Sequence, residues 1–268
     1  MNLKIIWYDI RAVWNENKIK YAVLAVFIML ACVCCNHSCK EALSVDMGFW
    51  DYIIWNFRGM KAIRKNQYIV PNAYWVFIWL YLAVIVGVYP VKDLHMAGQQ
   101  ILLKSGNRKA WWFGKVIWNI LSVLGFYLVL YLSVTAVSIV TGGFKAAQPE
   151  VTAFLLENEQ IENEGTTLYI YALVLPVIIS IAISVTQMMI AVVFQSMMGY
   201  IWVCFILAAG IFVYSPYSLG NYLMLMRTPV FMHGSVLNVL WAVMLSILFT
   251  AASVAIGSIV IEKKNIYS

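Results

Sequence analysis

The sequence predicts an all-α integral membrane protein with six transmembrane helices. Of its 268 residues, 63% are hydrophobic and 11% charged, and the mean hydropathy is +0.82. Several continuously apolar runs approach or exceed the roughly 20 residues a helix needs to cross a hydrocarbon core. A spanning backbone must satisfy its own hydrogen bonds, which leaves helices or a closed barrel. A barrel would alternate in polarity over short segments, whereas these runs are rich in Leu, Ile, Val and Met without alternation. The chain therefore reads as one transmembrane domain over residues 1–268.

Leu3, Ile6, Trp7, Ile10, Val13 and Trp14 recur at helical spacing, with Lys4, Asp9, Arg11, Asn15 and Lys18 on the other faces. Residues 1–20 are expected to form an amphipathic interfacial helix; an ordinary partner-packed helix has the same pattern. Spans are expected at 21–35, 73–89, 111–140, 168–198, 199–214 and 236–261. Trp111 and Trp112 beside Lys115 look like an aromatic belt with a snorkelling cation. Pro176 predicts a kink, and the short stretch 195–199 predicts a tight antiparallel hairpin between the fourth and fifth spans. The remaining segments, 36–72, 141–167 and 215–235, become outer loops. In the first of them Arg58, Lys61, Arg64 and Lys65 suggest one face of a surface helix. The second carries Glu150, Glu157, Glu159, Glu162 and Glu164.

Charge orients the bundle. With both termini cytoplasmic, the inner segments hold eleven basic and four acidic residues, net +7, and the outer segments seven basic and eight acidic, net −1. This supports a multi-pass topology with both termini cytoplasmic.

No catalytic motif stands out. Four of the five cysteines, Cys32, Cys34, Cys35 and Cys39, cluster at the end of the first apolar run and superficially resemble a metal site, but thiols in an apolar stretch behave as small hydrophobes. No cleavable signal peptide is visible. His37, His95 and His233 are scattered among loops. Between Gly106 and Gly114 seven residues intervene where a phosphate-binding loop needs four, and Val116 follows Lys115 in place of Ser or Thr. ATP is therefore hydrolysed elsewhere, if at all, and no cofactor or metal is expected in this chain. None of the expected spans holds Asp, Glu, Arg or His deep in its apolar run, which argues against self-powered ion coupling. Polar residues such as Asn119, Thr186, Gln187 and Asn238 suit either helix packing or a weakly polar transport path.

The loop after the second span reads Tyr89-Pro90, Lys92-Asp93-Leu94, Gly98-Gln99-Gln100, Arg108-Lys109 and Trp111-Trp112-Phe113-Gly114-Lys115. Pro90 is expected to end a span, and Leu94, Ala97 and Ile101 recur on one face, as in a short helix across the end of the bundle or a lipid-facing helix in a basic loop. With the amphipathic N-terminus and six spans, this loop resembles the permease subunit of type-2 bacterial ABC exporters. Among these it is similar to the small permeases of Gram-positive bacteria that pair with a stand-alone ATPase, including bacteriocin-immunity and phenol-soluble-modulin exporters. The resemblance implies a cytoplasmic coupling helix at 92–103, with Lys92, Asp93, Leu94, Ala97, Ile101 and Arg108 engaging the ATPase. It further implies a bacterial cell membrane and a separate ATPase subunit that holds ATP and magnesium. It also implies a permease pair, read as a homodimer, in membrane lipid, exporting an amphipathic peptide, with no role for nucleic acid.

Two functions compete at this point. One is a transport permease driven by a partner ATPase through alternating access. The other is the membrane subunit of a peptide-sensing or immunity complex that binds without translocating. An ATPase that co-purifies and depends on this subunit separates them. The topology itself is testable in intact cells: a cysteine at Asn158 is expected to react with an impermeant thiol reagent and one at Asn107 is not, the reverse result inverting the orientation.

Overall fold

The computed structural model describes residues 3–62, 71–94, 108–156, 166–232 and 234–263, and only the backbone of residues 3–10, 12 and 166. The helices in chain order are α1 (Leu3–Leu43), α2 (Phe49–Phe57), α3 (Ala73–Gly87), α4 (Tyr89–Leu94), α5 (Arg108–Val140), α6 (Pro149–Leu155), α7 (Thr166–Tyr169), α8 (Leu175–Val193), α9 (Ser196–Phe212) and α10 (Val239–Lys263). A π turn, Ile170–Val174, joins α7 to α8, and two 3₁₀ turns, Leu219–Leu223 and Leu225–Arg227, follow α9. No strand occurs among the described residues. Five stretches are long and apolar enough to cross a membrane: Val13–Leu43, Ala73–Leu94, Arg108–Val140, Thr167–Val193 and Val239–Lys263. The sixth apolar helix, α9, has only 17 residues.

Several element boundaries differ from the sequence expectation. Helix α1 runs unbroken across the boundary expected between the interfacial helix and the first span, and continues to Leu43. Its sequence contains neither Gly nor Pro, so nothing interrupts the hydrogen-bond ladder. His37 accordingly lies on a helix rather than in a loop, with Nε2 3.2 Å from Glu41 one turn on. Pro90 does not end the second span. The helix breaks at Val88 and resumes as α4, where Pro90 sits in the first turn and its missing N–H costs nothing. At Pro176 the disturbance takes the form of the π turn immediately before it. The fourth and fifth apolar helices divide at Phe194 and Gln195, and Gly199 lies inside α9. A Cβ on Gly199 would stand 2.8 Å from the Gln187 carbonyl oxygen, so this glycine sets how closely α9 approaches α8.

The segments expected as outer loops form an organised cap over one end of the bundle. Asp51 closes the first turn of α2 by accepting from Gly48 N at 2.9 Å, and its second oxygen accepts from Gln148 N at 2.9 Å, tying α2 to the approach to α6. Burial raises the pKa of this carboxyl. Residues 58–62 are not helical, so Arg58 and Lys61 do not share a helix face, while Arg64 and Lys65 lie outside the described residues. Gly59 there has φ +65°, and a Cβ would strike Met224. Glu150 is exposed on α6, and the other loop glutamates lie outside the described residues.

Arg227 holds the cap to the bundle. Its guanidinium is buried and donates to the carbonyls of Met60, Lys61, Gly210 and Ile211 and to Asn221 Oδ1, which occupies all five N–H groups. Gly210 and Ile211 belong to the last turn of α9, whose terminal carbonyls have no helical partners. Burial pulls the Arg227 pKa down to about 10, which leaves it charged at neutral pH. Arg227→Ala strands these acceptors, each at a cost of about 1–3 kcal/mol. The expected result is a clear fall in the melting temperature of the detergent-solubilised protein, whereas the exposed Lys40→Ala leaves it within the surface-mutation range of about 0.5 kcal/mol.

Candidate functional site

At the end opposite the cap, two helices present matched faces. Tyr89 and Asp93 stand one turn apart on α4, and Trp111, Lys115 and Trp118 follow the i, i+4, i+7 spacing on α5. Lys115 Nζ lies 2.8 Å from Asp93 Oδ2, and the two side chains are 1% and 4% exposed. Trp111 Nε1 donates to the same carboxylate oxygen at 3.1 Å, and Lys115 also donates to the Tyr89 hydroxyl at 3.3 Å. The ammonium sits 4.6 Å from the Tyr89 ring centroid and 5.5 Å from that of Trp111. Tyr89 in turn stacks on Trp118 with centroids 4.4 Å apart. The charge pair is thus enclosed by rings that contribute both hydrogen bonds and quadrupoles.

This arrangement revises two expectations. Lys115 does not snorkel to an interface, and Trp111 and Trp112 are not a lipid-facing belt: all three are buried in the protein. Trp112 donates to Val254 O at 2.9 Å and lies where Gly257 has no side chain, so α5 and α10 meet closely here. Burial of the two tryptophans against α4, α8 and α10 outweighs their affinity for headgroups.

The coupling residues expected from the sequence divide accordingly. Asp93 is held by Lys115, and Leu94 packs with Trp111, Trp112, Val116, Met188, Val192 and Ile261. Lys92 is exposed and stands 3.7 Å from Glu16 on α1, a surface pair of small energetic weight. Arg108 donates to Glu262 O at 2.9 Å, and Lys109 pairs with the Glu262 carboxylate at 3.2 Å, joining α5 to the end of α10. Ala97, Ile101 and the remainder of the expected coupling helix lie outside the described residues.

The expected path residues also divide. Asn119 and Ser184 bond reciprocally, with Ser184 Oγ donating to Asn119 Oδ1 at 2.7 Å and Asn119 Nδ2 donating to Ser184 O at 3.3 Å. Thr186 Oγ1 lies 2.9 Å from Ser253 Oγ, and Gln187 Nε2 donates to Ala83 O at 3.0 Å. Asn238 is not with them. It is exposed just before α10, where Oδ1 accepts from Leu240 N at 2.9 Å. Of the cysteine cluster on α1, Cys32 and Cys39 are buried and Cys34 is exposed. Among the described residues, no group of three or more His, Cys, Asp or Glu side chains converges as a metal site.

Sequence reading did not find the Lys115–Asp93 pair, although the four-residue steps Tyr89 to Asp93 and Trp111 to Lys115 carried its signal. What the arrangement offers chemically is a clamp between the two helices that flank residues 95–107, with no reactive group of its own. No known protein family, curated protein or solved structure matches the chain. Removing one partner of a buried pair leaves the other charged and unpaired, at a cost of about 3–5 kcal/mol. Lys115→Met and Asp93→Asn are each expected to destabilise on that scale. Their combination is expected to cost less than the sum of the two, as read from denaturant unfolding of the purified protein in a double-mutant cycle.

Proposed function

We propose that this chain is the transmembrane permease subunit of an ATP-driven exporter, acting as one of two permease copies powered by a separate cytoplasmic ABC ATPase. The observation that carries the reading is the clamp. Asp93 at the end of α4 and Lys115 about two turns into α5 bracket residues 95–107, so a displacement of that segment is delivered to two spans together. A buried, ring-enclosed charge pair resists such a load better than apolar contacts that slide.

Six crossings with both termini cytoplasmic complete the proposal, with α9 as the fifth. At about 1.5 Å per residue its 17 residues reach roughly 25 Å, short of a hydrocarbon core of about 30 Å. The Arg227 guanidinium, meeting its last carbonyls, supplies what lipid does not.

The cargo we propose is amphipathic peptide or lipid-like. Within one copy Asn119, Ser180, Ser184, Thr186 and Gln187 each bond to a neighbouring helix. An open concavity of about 640 Å³ lies instead on the side of the bundle, walled by Phe113 of α5, Ile178 and Ile181 of α8, and Ile247, Thr250 and Ala251 of α10. Its almost wholly apolar wall suits hydrocarbon or an amphipathic helix face and offers little to a sugar or free amino acid.

The test is purification in mild detergent from native membranes, with ATP turnover measured on the eluate. An ATPase is expected to accompany the wild type, and the variant Lys92→Glu/Ile101→Asp is expected to lose both the subunit and the turnover while keeping the wild-type melting temperature. Leu94→Asp is unsuitable, because that side chain is buried among this chain's own residues. Purification of an intact, cargo-binding bundle without any ATPase would instead assign the chain to a sensing or immunity complex.

A further inference from the structure

Trp75, Trp79 and Ala83 follow one another at single turns along the face of α3 that meets the bundle interior. Trp75 Nε1 donates to Leu223 O at 2.9 Å, and Ala83 O accepts from Gln187 Nε2 at 3.0 Å. Between these two satisfied positions, Trp79 Nε1 has no hydrogen-bond partner within the protein. Neither does Gln187 Oε1, the other end of the amide that reaches Ala83. Both side chains are more than nine-tenths buried, Trp79 at 4% exposed and Gln187 at 1%.

The two orphaned atoms belong to residues that line the same cavity. It lies between α3, α8 and α9, measures about 20 Å³, and is also walled by Ser180, Ser184, Val203 and Leu207. One orphan is a donor and the other an acceptor, a complementarity that a single small molecule with both capacities satisfies at once. The volume exceeds the roughly 10–15 Å³ that admits one water and excludes any organic solute. Leaving both groups unpaired at this depth costs more than the immobilisation of one water that satisfies them together.

We propose that this cavity is a binding site for a single water molecule, which accepts from Trp79 Nε1 and donates to Gln187 Oε1. Ser180 Oγ and Ser184 Oγ, already engaged with Tyr127 and Asn119, retain lone pairs for its second hydrogen. The water extends the direct Gln187 to Ala83 bond by one turn along α3, so that α8 holds two successive turns of α3, one directly and one through an exchangeable molecule. Gly87, one turn further, has no side chain, and a Cβ there would stand 2.8 Å from Gln187 Nε2 and 2.7 Å from the Tyr200 hydroxyl. The three helices therefore make close contact one turn beyond Ala83.

X-ray hydroxyl-radical footprinting of the protein in nanodiscs tests this, because radicals generated from a bound water oxidise the side chain it touches. Trp75 is the internal control, at 1% exposure on the same helix with its Nε1 bonded to backbone. Trp79 is expected to be oxidised several-fold faster than Trp75 in the wild type, and Gln187→Met is expected to bring Trp79 down to the Trp75 rate. Equal protection of the two tryptophans in the wild type would overturn the proposal, as would fast oxidation of Trp79 that persists in a folded Gln187→Met. The wild-type comparison decides even where the variant does not fold.

Discussion

In hydrocarbon a polar side chain has no solvent to turn to, and helix α8 is built around that constraint. Its four polar residues each bond to a different part of the surrounding bundle. Ser180 meets Tyr127 of α5, Ser184 meets Asn119 of α5, Thr186 meets Ser253 of α10, and Gln187 meets Ala83 of α3. Interhelical bonds of this kind are worth only about 0.6 kcal/mol on average. Their larger effect is on register, because sliding any neighbour by one residue would leave polar groups unpaired where lipid and side chains offer no substitute. The stretch Thr167–Val193 is also the most buried of the five long apolar stretches, with 61% of its apolar window inside the protein against 17% for Val239–Lys263. The bundle is thus organised from the inside out, with α8 fixing three neighbours and α10 left mostly to its surroundings.

The two ends solve a different problem, how to bury a charge. At the cap, Arg227 is met by carbonyl dipoles and one amide, and Asp51 by backbone N–H groups and Gln148. At the opposite end Lys115 and Asp93 neutralise one another. The difference follows from what each joins. The cap gathers irregular segments that have free carbonyls and N–H groups to offer, whereas α4 and α5 are regular helices whose backbone is already paired, so only side chains remain to meet a charge.

Much of this was legible in the sequence, and the losses have physical causes. Apolar runs longer than a bilayer is thick announce themselves by composition, which is why an all-helical chain with several long apolar helices was legible, although α1 runs well past the 21–35 span expected within it. Breakers mislead in both directions. Pro90 reads as a stop but occupies a first turn, and Gly199 reads as punctuation but serves a close helix crossing. The cap was unreadable because its bonds join Arg227 to Met60 and Asp51 to Gln148, residues far apart in sequence, through backbone atoms that every residue possesses. Lys115 looked like an interfacial cation because a lysine near the start of an apolar run normally is one. Only the Asp93 carboxylate, delivered by the continuation of the helix past Pro90, makes it a core residue.

The unbroken α1 has a geometric consequence. Its 41 residues span about 60 Å at roughly 1.5 Å per residue, twice the thickness of the hydrocarbon core. It is seated on α5, with Tyr21 OH bonded to Ser122 O at 2.9 Å and the ring lying against Gly125. A rod that long converts angle into distance: a rotation of about 5° about one end sweeps the other through about 5 Å at this length. A tilt of α1 at its seat on α5 would reach the far end of the helix already magnified, with no further hinge required along the way.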